Sequence, residues 1–100
     1  MALTIGTGRR RRRSTVDVFT REPCGLCAAA EEIVRAEAGR AAVRFIDIDS
    51  DEELVRRYHV RVPVVVVDGR EVAEGRVEPG QVRAALRRAR KGRWADWRRA

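Results

Sequence analysis

Apolar and polar positions alternate along this chain with two different periods. Thr15-Val16-Asp17-Val18-Phe19-Thr20 is β-branched and aromatic, the composition of a strand. Arg21-Glu22-Pro23 interrupts it, and helix formers run from Ala28 to Ala38. Cys27, Ala30, Ile33, Val34 and Ala38 recur near the helical period and give one apolar face. Gly39 suits the end of that helix. Val43 to Ile48 reads as a second strand. Ser50, with Glu53 three places on, has the form of a capping box. It predicts a short helix with Leu54, Val55 and Tyr58 on one side. Val62-Pro63-Val64-Val65-Val66-Val67 is almost continuously apolar, as in a strand covered on both faces. Pro63 belongs at its start, because proline has no N–H for a central ladder. Asp68-Gly69 is a strong hairpin signal and leads into a strand from Glu71 to Glu74. Pro79 suits the first turn of a last helix. That helix packs through Val82, Ala85, Leu86 and Ala89 and ends at Gly92.

The order βαβαββα predicts an α/β fold. Strands joined through a helix pair in parallel by a right-handed crossover, and the last two strands form an antiparallel hairpin. A four-stranded mixed sheet with helices on both faces follows. The length of 100 residues fits one domain, and no internal repeat is visible. Residues 1–14 read as a flexible basic arm, 15–91 as the folded domain and 92–100 as a basic tail.

Composition narrows the class. Hydrophobic residues make up 44% of the chain, enough for a packed core and too many for a wholly disordered protein. No apolar run nears the roughly 20 residues that span a bilayer. The opening residues are too polar for a secretory segment, so the expected location is the cytoplasm. The formal charge is +7, and much of the excess lies at the ends, in Arg9 to Arg13 and in the arginines after Leu86. Basic ends can engage nucleic acid, but the expected reading is a solvated terminus. Lys91 is the only lysine. Trp94 and Trp97 interleave with arginines, which suits packing under guanidinium groups or, alternatively, stacking on bases.

The chemistry concentrates at Cys24 and Cys27, spaced C-x-x-C where a strand gives way to a helix. The first turn of a helix has N–H groups without intrahelical partners, and the positive end of its dipole lies there. A thiolate at Cys24 is stabilised by both, and cysteines so placed titrate at roughly 3.5–7.5 against about 8.5 for a free thiol. Thiolates attack disulfides, and Cys27 lies one turn further in, within reach of Cys24. Two cysteines at this spacing also fit half of a metal site. With His59 as the sole histidine, carboxylates would have to complete the four ligands of structural zinc, and no metal is expected.

Val16 to Cys27, reading VDVFTREPCGLC, and RVPVVVVDG further on resemble the redox motif and proline strand of the glutaredoxins, a branch of the thioredoxin superfamily. The likeness runs from about Thr15 to Ala89 and is nearest to short bacterial glutaredoxin-like proteins with a C-x-L-C motif. It implies a thioredoxin fold with Pro63 cis and facing Cys24. It implies Cys24 as nucleophile and Cys27 as resolving thiol, with Arg21, Val62, Pro63 and Gly75 binding substrate. It further implies a disulfide-containing protein or small-molecule substrate and no bound cofactor. The expected co-substrate is a low-molecular-weight thiol, glutathione or another, with a protein reductant as the alternative. The chain departs from the common pattern at Gly25-Leu26, where Pro-Tyr or Pro-Phe is usual. It also departs at Glu74-Gly75-Arg76, where many members have two glycines and a following aspartate.

Other residues read more plainly. His59 reads as a surface or capping histidine, Tyr58 as core, and Asp47 and Asp49 as turn and helix-capping acceptors. The expected function is therefore thiol–disulfide exchange. The alternative is a thioredoxin-fold binding module with vestigial cysteines and nucleic-acid- or protein-binding basic ends.

Overall fold

The structure, a computed structural model, describes residues 13–92. Arg9 to Arg12, Trp94 and Trp97 lie outside the described residues, with most of the arm and tail inferred from the sequence. The elements follow in the order β1 (Thr15–Thr20), α1 (Gly25–Glu37), β2 (Ala42–Asp47), a 3-10 turn (Ile48–Ser50), α2 (Glu52–Tyr58), β3 (Val64–Val67), β4 (Arg70–Glu74) and α3 (Gln81–Arg90).

The strands lie in the order β2-β1-β3-β4. β1 is parallel to β2 and antiparallel to β3, and β3 is antiparallel to β4. β1 and β3 are therefore central, and their residues alternate between two cores. Val16, Val18, Val65 and Val67 join Ala30 and Val34 of α1 and Val82, Ala85 and Leu86 of α3 on one face. Val64 joins Ile48 and Tyr58 on the other, with Phe19, Leu54 and Val66 packed around them. The valine run is thus covered from both sides. α1 and α3 lie on one face and α2 on the other, which makes the four-stranded mixed sheet of a thioredoxin fold.

Asp68 and Gly69 both take positive φ, 49° and 85°, as a two-residue hairpin turn of type I′ requires. The Asp68 carboxylate also accepts the Thr15 amide at 2.8 Å, which latches the turn to the start of β1. A bulge places Val72 of β4 outside the regular register, and its carbonyl accepts the Gln81 side-chain amide at 3.2 Å.

Several boundaries differ from the sequence pattern. Ile48 belongs to the 3-10 turn rather than to β2 and is fully buried. Ser50 does not cap α2. Its hydroxyl donates to the Asp47 carbonyl at 2.7 Å, and Asp51 is the cap, accepting the Glu53 amide at 2.8 Å. The third strand begins at Val64 rather than Val62, because the Val62 N–H closes the turn after α2 on the Tyr58 carbonyl at 3.1 Å. Pro79 precedes the last helix instead of opening it. Gly80 is its N-cap at φ 89°, a conformation glycine adopts without a Cβ clash.

Gly80 has no side chain to cap α3. That role falls to Glu37, at the end of α1, whose carboxylate accepts the amides of Gly80 and Arg83. The Glu37 side chain is only 6% exposed. Burial opposes its ionisation, but those amides, the Val82 amide and the Arg83 charge outweigh it. The carboxyl is held below its ordinary value.

Candidate active site

β1 ends at Thr20, and Arg21 to Pro23 turn the chain into α1. The Glu22–Pro23 peptide is cis. Cys24 then has extended backbone, φ −161° and ψ 108°, and forms the N-cap of α1. An N-cap normally presents an oxygen to the amide at the third helical position. Here the acceptor is sulfur: the Cys27 N–H donates to Cys24 Sγ at 3.1 Å. The two sulfurs lie at disulfide distance, with Cα atoms 5.2 Å apart, inside the usual range for a bridge.

The two cysteines differ in access. Cys27 is 3% exposed, under the first turn of α1, whereas Cys24 is half-buried at the mouth of a cleft. An incoming group meets Cys24 first. Gly25 leaves open space above the motif, since a Cβ there would meet no atom within 4 Å.

Arg21, Cys24 and Cys27 line the same cleft, with Thr20, Pro23 and Glu31. Arg21 is held by a two-point ion pair to Asp49 in the 3-10 turn, at 3.1 Å through Nε and 2.7 Å through Nη2. These hydrogen bonds, and then the charges of Asp49 and Asp47, outweigh desolvation and raise the guanidinium above its ordinary value. The same bonds from Arg21 lower the Asp49 carboxyl. Arg21 thus fixes the cysteine loop to the end of β2 and puts a cation in the cleft wall. Asp47 accepts the Asp49 amide at 2.9 Å as the cap of the 3-10 turn.

Val62, Pro63 and Gly75 form a second group. The Val62–Pro63 peptide is cis, as the resemblance implies. Val64 stands opposite Phe19 in the antiparallel pair, so Pro63 and the cysteine loop leave the sheet at the same end. The Gly75 N–H donates to the carbonyls of Pro63 at 2.8 Å and Arg61 at 3.2 Å. Gly75 therefore braces the proline turn with its amide. The same brace includes a residue that the sequence pattern does not single out. Arg61 bonds Glu74 at 2.9 and 3.0 Å, pairs with Glu71, and lies over the Tyr58 ring 5.5 Å from its centre. Its only sequence signal is its place two residues before Pro63.

Tyr58 is buried and stacked on Phe19 with ring centres 4.5 Å apart, a core residue. His59 follows α2, and its Nδ1 N–H donates to the Val55 carbonyl at 3.1 Å. Among the described residues no three His, Cys, Asp or Glu side chains gather in a way that could hold a metal ion. No helix among them is long and apolar enough to cross a membrane.

A β-α-β-α-β-β-α chain with a cysteine pair at its first strand–helix junction and a cis-proline before its third strand defines a protein of the thioredoxin fold. The chain belongs, within that fold, to the glutaredoxin-like family: the model of the glutaredoxin-like domain (DUF836) matches residues 15–87. Among solved structures it is similar to the protein XcR50 from X. campestris, with 33% identity, 72% of this chain and 95% of that one covered, and a TM-score of 0.62. The protein Ne2328 from Nitrosomonas europaea is 26% identical over 75% of this chain and 93% of its own, with a TM-score of 0.63. A mutant thioredoxin from Halobacterium salinarum is 28% identical over 82% of this chain and 79% of its own, with a TM-score of 0.58. No curated protein matches the chain.

Proposed function

We propose that the protein is a thiol–disulfide oxidoreductase working by dithiol exchange. The observation that supports this most directly is the sulfur cap: Cys24 Sγ is reachable and already accepts a helix-terminal N–H, while its partner Cys27 is covered. The reduced protein starts with Cys24 as thiolate. It attacks one sulfur of a target disulfide, forming a mixed disulfide and releasing the other target sulfur as a thiolate, which takes up a proton. Cys27 gives up its proton and attacks Cys24 Sγ. The mixed disulfide breaks, the Cys24–Cys27 disulfide forms, and the second target sulfur leaves as a thiolate and is protonated. Two electrons pass to the target. A low-molecular-weight thiol, glutathione or another, returns the protein to the dithiol state by the reverse steps. No bound cofactor takes part.

The cleft gives these steps a direction. Arg21 favours an anionic sulfur at Cys24 through its charge. The cis turn at Val62–Pro63 leaves the sheet at the same end as the cysteine loop, and in this reading a substrate chain lies along it. The Val62 N–H is engaged on Tyr58, so the group it offers such a chain is its carbonyl oxygen.

The test is reduction of a peptide disulfide by the wild type, Cys24→Ser and Cys27→Ser. Cys24→Ser should be inactive, and Cys27→Ser should accumulate a mixed disulfide that mass spectrometry detects. Undiminished turnover by Cys24→Ser would remove the proposal.

A further inference from the structure

The molecule has a second, larger concavity, away from the cysteines. It lies between the start of β1, the end of α1 and the flank of α3, with a volume of about 1430 Å³ against about 560 Å³ for the cleft at Cys24. A groove that large and open suits an extended chain better than a small metabolite. Four arginines line it: Arg13, Arg40, Arg83 and Arg90.

Of its two carboxylates, Glu37 pairs with Arg83 at 3.9 Å, and Asp68 pairs with none of the four arginines. Glu37 is turned onto the amides of Gly80 and Arg83, and Asp68 onto the amide and hydroxyl of Thr15. Arg13 donates through Nε to the Arg40 carbonyl at 2.8 Å, which seats one arginine beside another. Among the described residues neither Arg40 nor Arg90 is part of an ion pair. Arg13, Arg40 and Arg90 are brought together here without a carboxylate partner among the described residues, and nothing in the dithiol chemistry uses them.

We propose that this groove binds single-stranded nucleic acid through its phosphates. The planar, always-charged guanidinium suits phosphate oxygens, and arginine supplies every cation in the groove. The large exposed apolar residues of the described chain, Leu26 and Val60, line neither concavity, so the basic face lacks the apolar anchor that a lipid surface would engage. The proposal is independent of the redox reading, since the groove and the cysteine cleft share no lining residue.

The experiment is fluorescence anisotropy of a labelled mixed-sequence RNA oligonucleotide with the full chain, over a salt series starting at 50 mM. The variants are Arg40→Ala/Arg90→Ala and, as a control of equal charge change, Arg56→Ala/Arg76→Ala, whose residues lie outside the groove. Each phosphate contact on a single strand contributes about −0.7 to the slope of log K against log salt. The groove variant should flatten that slope by about 1.4 and weaken binding about tenfold at low salt, while the control changes neither. Cys24→Ser should bind as the wild type does, so failure of the redox reading would not affect this result. No binding at 50 mM salt would overturn the proposal. So would equal loss in the groove and control variants, which would assign binding to overall charge. Competition by polyglutamate as effective as by unlabelled RNA would point instead to acidic protein partners and would also overturn it.

Discussion

Two helix N-termini in this protein meet the same physical problem in opposite ways. At the start of α1 the third-position amide is met by Cys24 Sγ, from within the helix itself. At the start of α3 the cap is Gly80, which has no side chain, and the acceptor Glu37 arrives from the far end of α1. The first acceptor is a weak one that chemistry can change from thiol to thiolate to disulfide. The second is a nearly buried carboxylate with its amides already in place. The helix end that carries the cysteine pair is thus left with an exchangeable partner, while the end of α3 is closed by a permanent one. α1 serves both, carrying Cys24, the proposed nucleophile, at its start and Glu37, the brace for α3, at its finish.

The largest expected effect that tests this contrast is on thiol reactivity. In the reduced protein at pH 6, Cys24 should be alkylated about a hundredfold faster than Cys27, with a midpoint well below the roughly 8.5 of a free thiol. Equal rates, read for each cysteine by mass spectrometry, would mean that the α1 terminus is no more activating than the α3 one. Next in size is the architectural end. Glu37→Ala should lower stability by about 2 kcal/mol in urea unfolding, because it strips two helix-terminal amides of a charged acceptor. The reactivity of Cys24 should not change with it. The sign of the pH effect follows from the lowered Glu37 value. Its contribution is complete above the carboxyl value of the unfolded chain, about 4.3, and is lost as pH falls through the lower folded value. Glu37→Gln should therefore unfold with a shallower acid dependence than the wild type, and an unaltered acid dependence would contradict this account of the cap.

A smaller effect is expected at the proline turn. Arg61→Ala should raise KM for a peptide disulfide about fivefold, leaving kcat and the Cys24 alkylation rate close to wild type, with partial rescue by Arg61→Lys. A fall in kcat alone would show that Arg61 acts on the chemistry and not on the turn. The smallest is at Asp49. Asp49→Asn releases Arg21 from its counter-charge and should speed Cys24 alkylation at pH 6 about twofold, an effect erased by about 1 M salt. A slower reaction would mean that Asp49 matters by positioning Arg21 and not by balancing it.

The elements legible in the sequence were those set by local pattern. The apolar stripe of α1, the doubly covered valines of β3 and the Asp68-Gly69 turn need only neighbouring residues to be read. The cysteine site was legible for the same reason, since it is a strand–helix junction with a spacing of three. What escaped was set by competition or by distance. Ser50 and Glu53 have the spacing of a capping box, but the 3-10 turn takes up the Ser50 hydroxyl first, and Asp51 becomes the cap. Pro79 could open a helix, but the turn that carries Gly80 to Glu37 delays α3 by two residues. The Glu37–Gly80 contact spans 43 positions, and Arg61 reaches Glu71 and Glu74 across the hairpin. No periodicity announces either. The Gly75 amide braces Pro63, a contact that only the folded turn reveals.

The bulge at Val72 bears on whether another chain can add to the sheet at its β4 side. β4 is an outer strand, and an outer strand normally offers a template on which another chain can add. Here the ladder is broken at Val72, whose carbonyl is taken by Gln81, and Arg70, Glu71 and Glu74 place charges along the strip. An incoming strand would find neither a regular row of acceptors nor an uncharged surface on that side. Self-association through the sheet, and the fibrous aggregation it can seed, is therefore discouraged at β4, leaving β2 as the margin a misfolding contact would have to use.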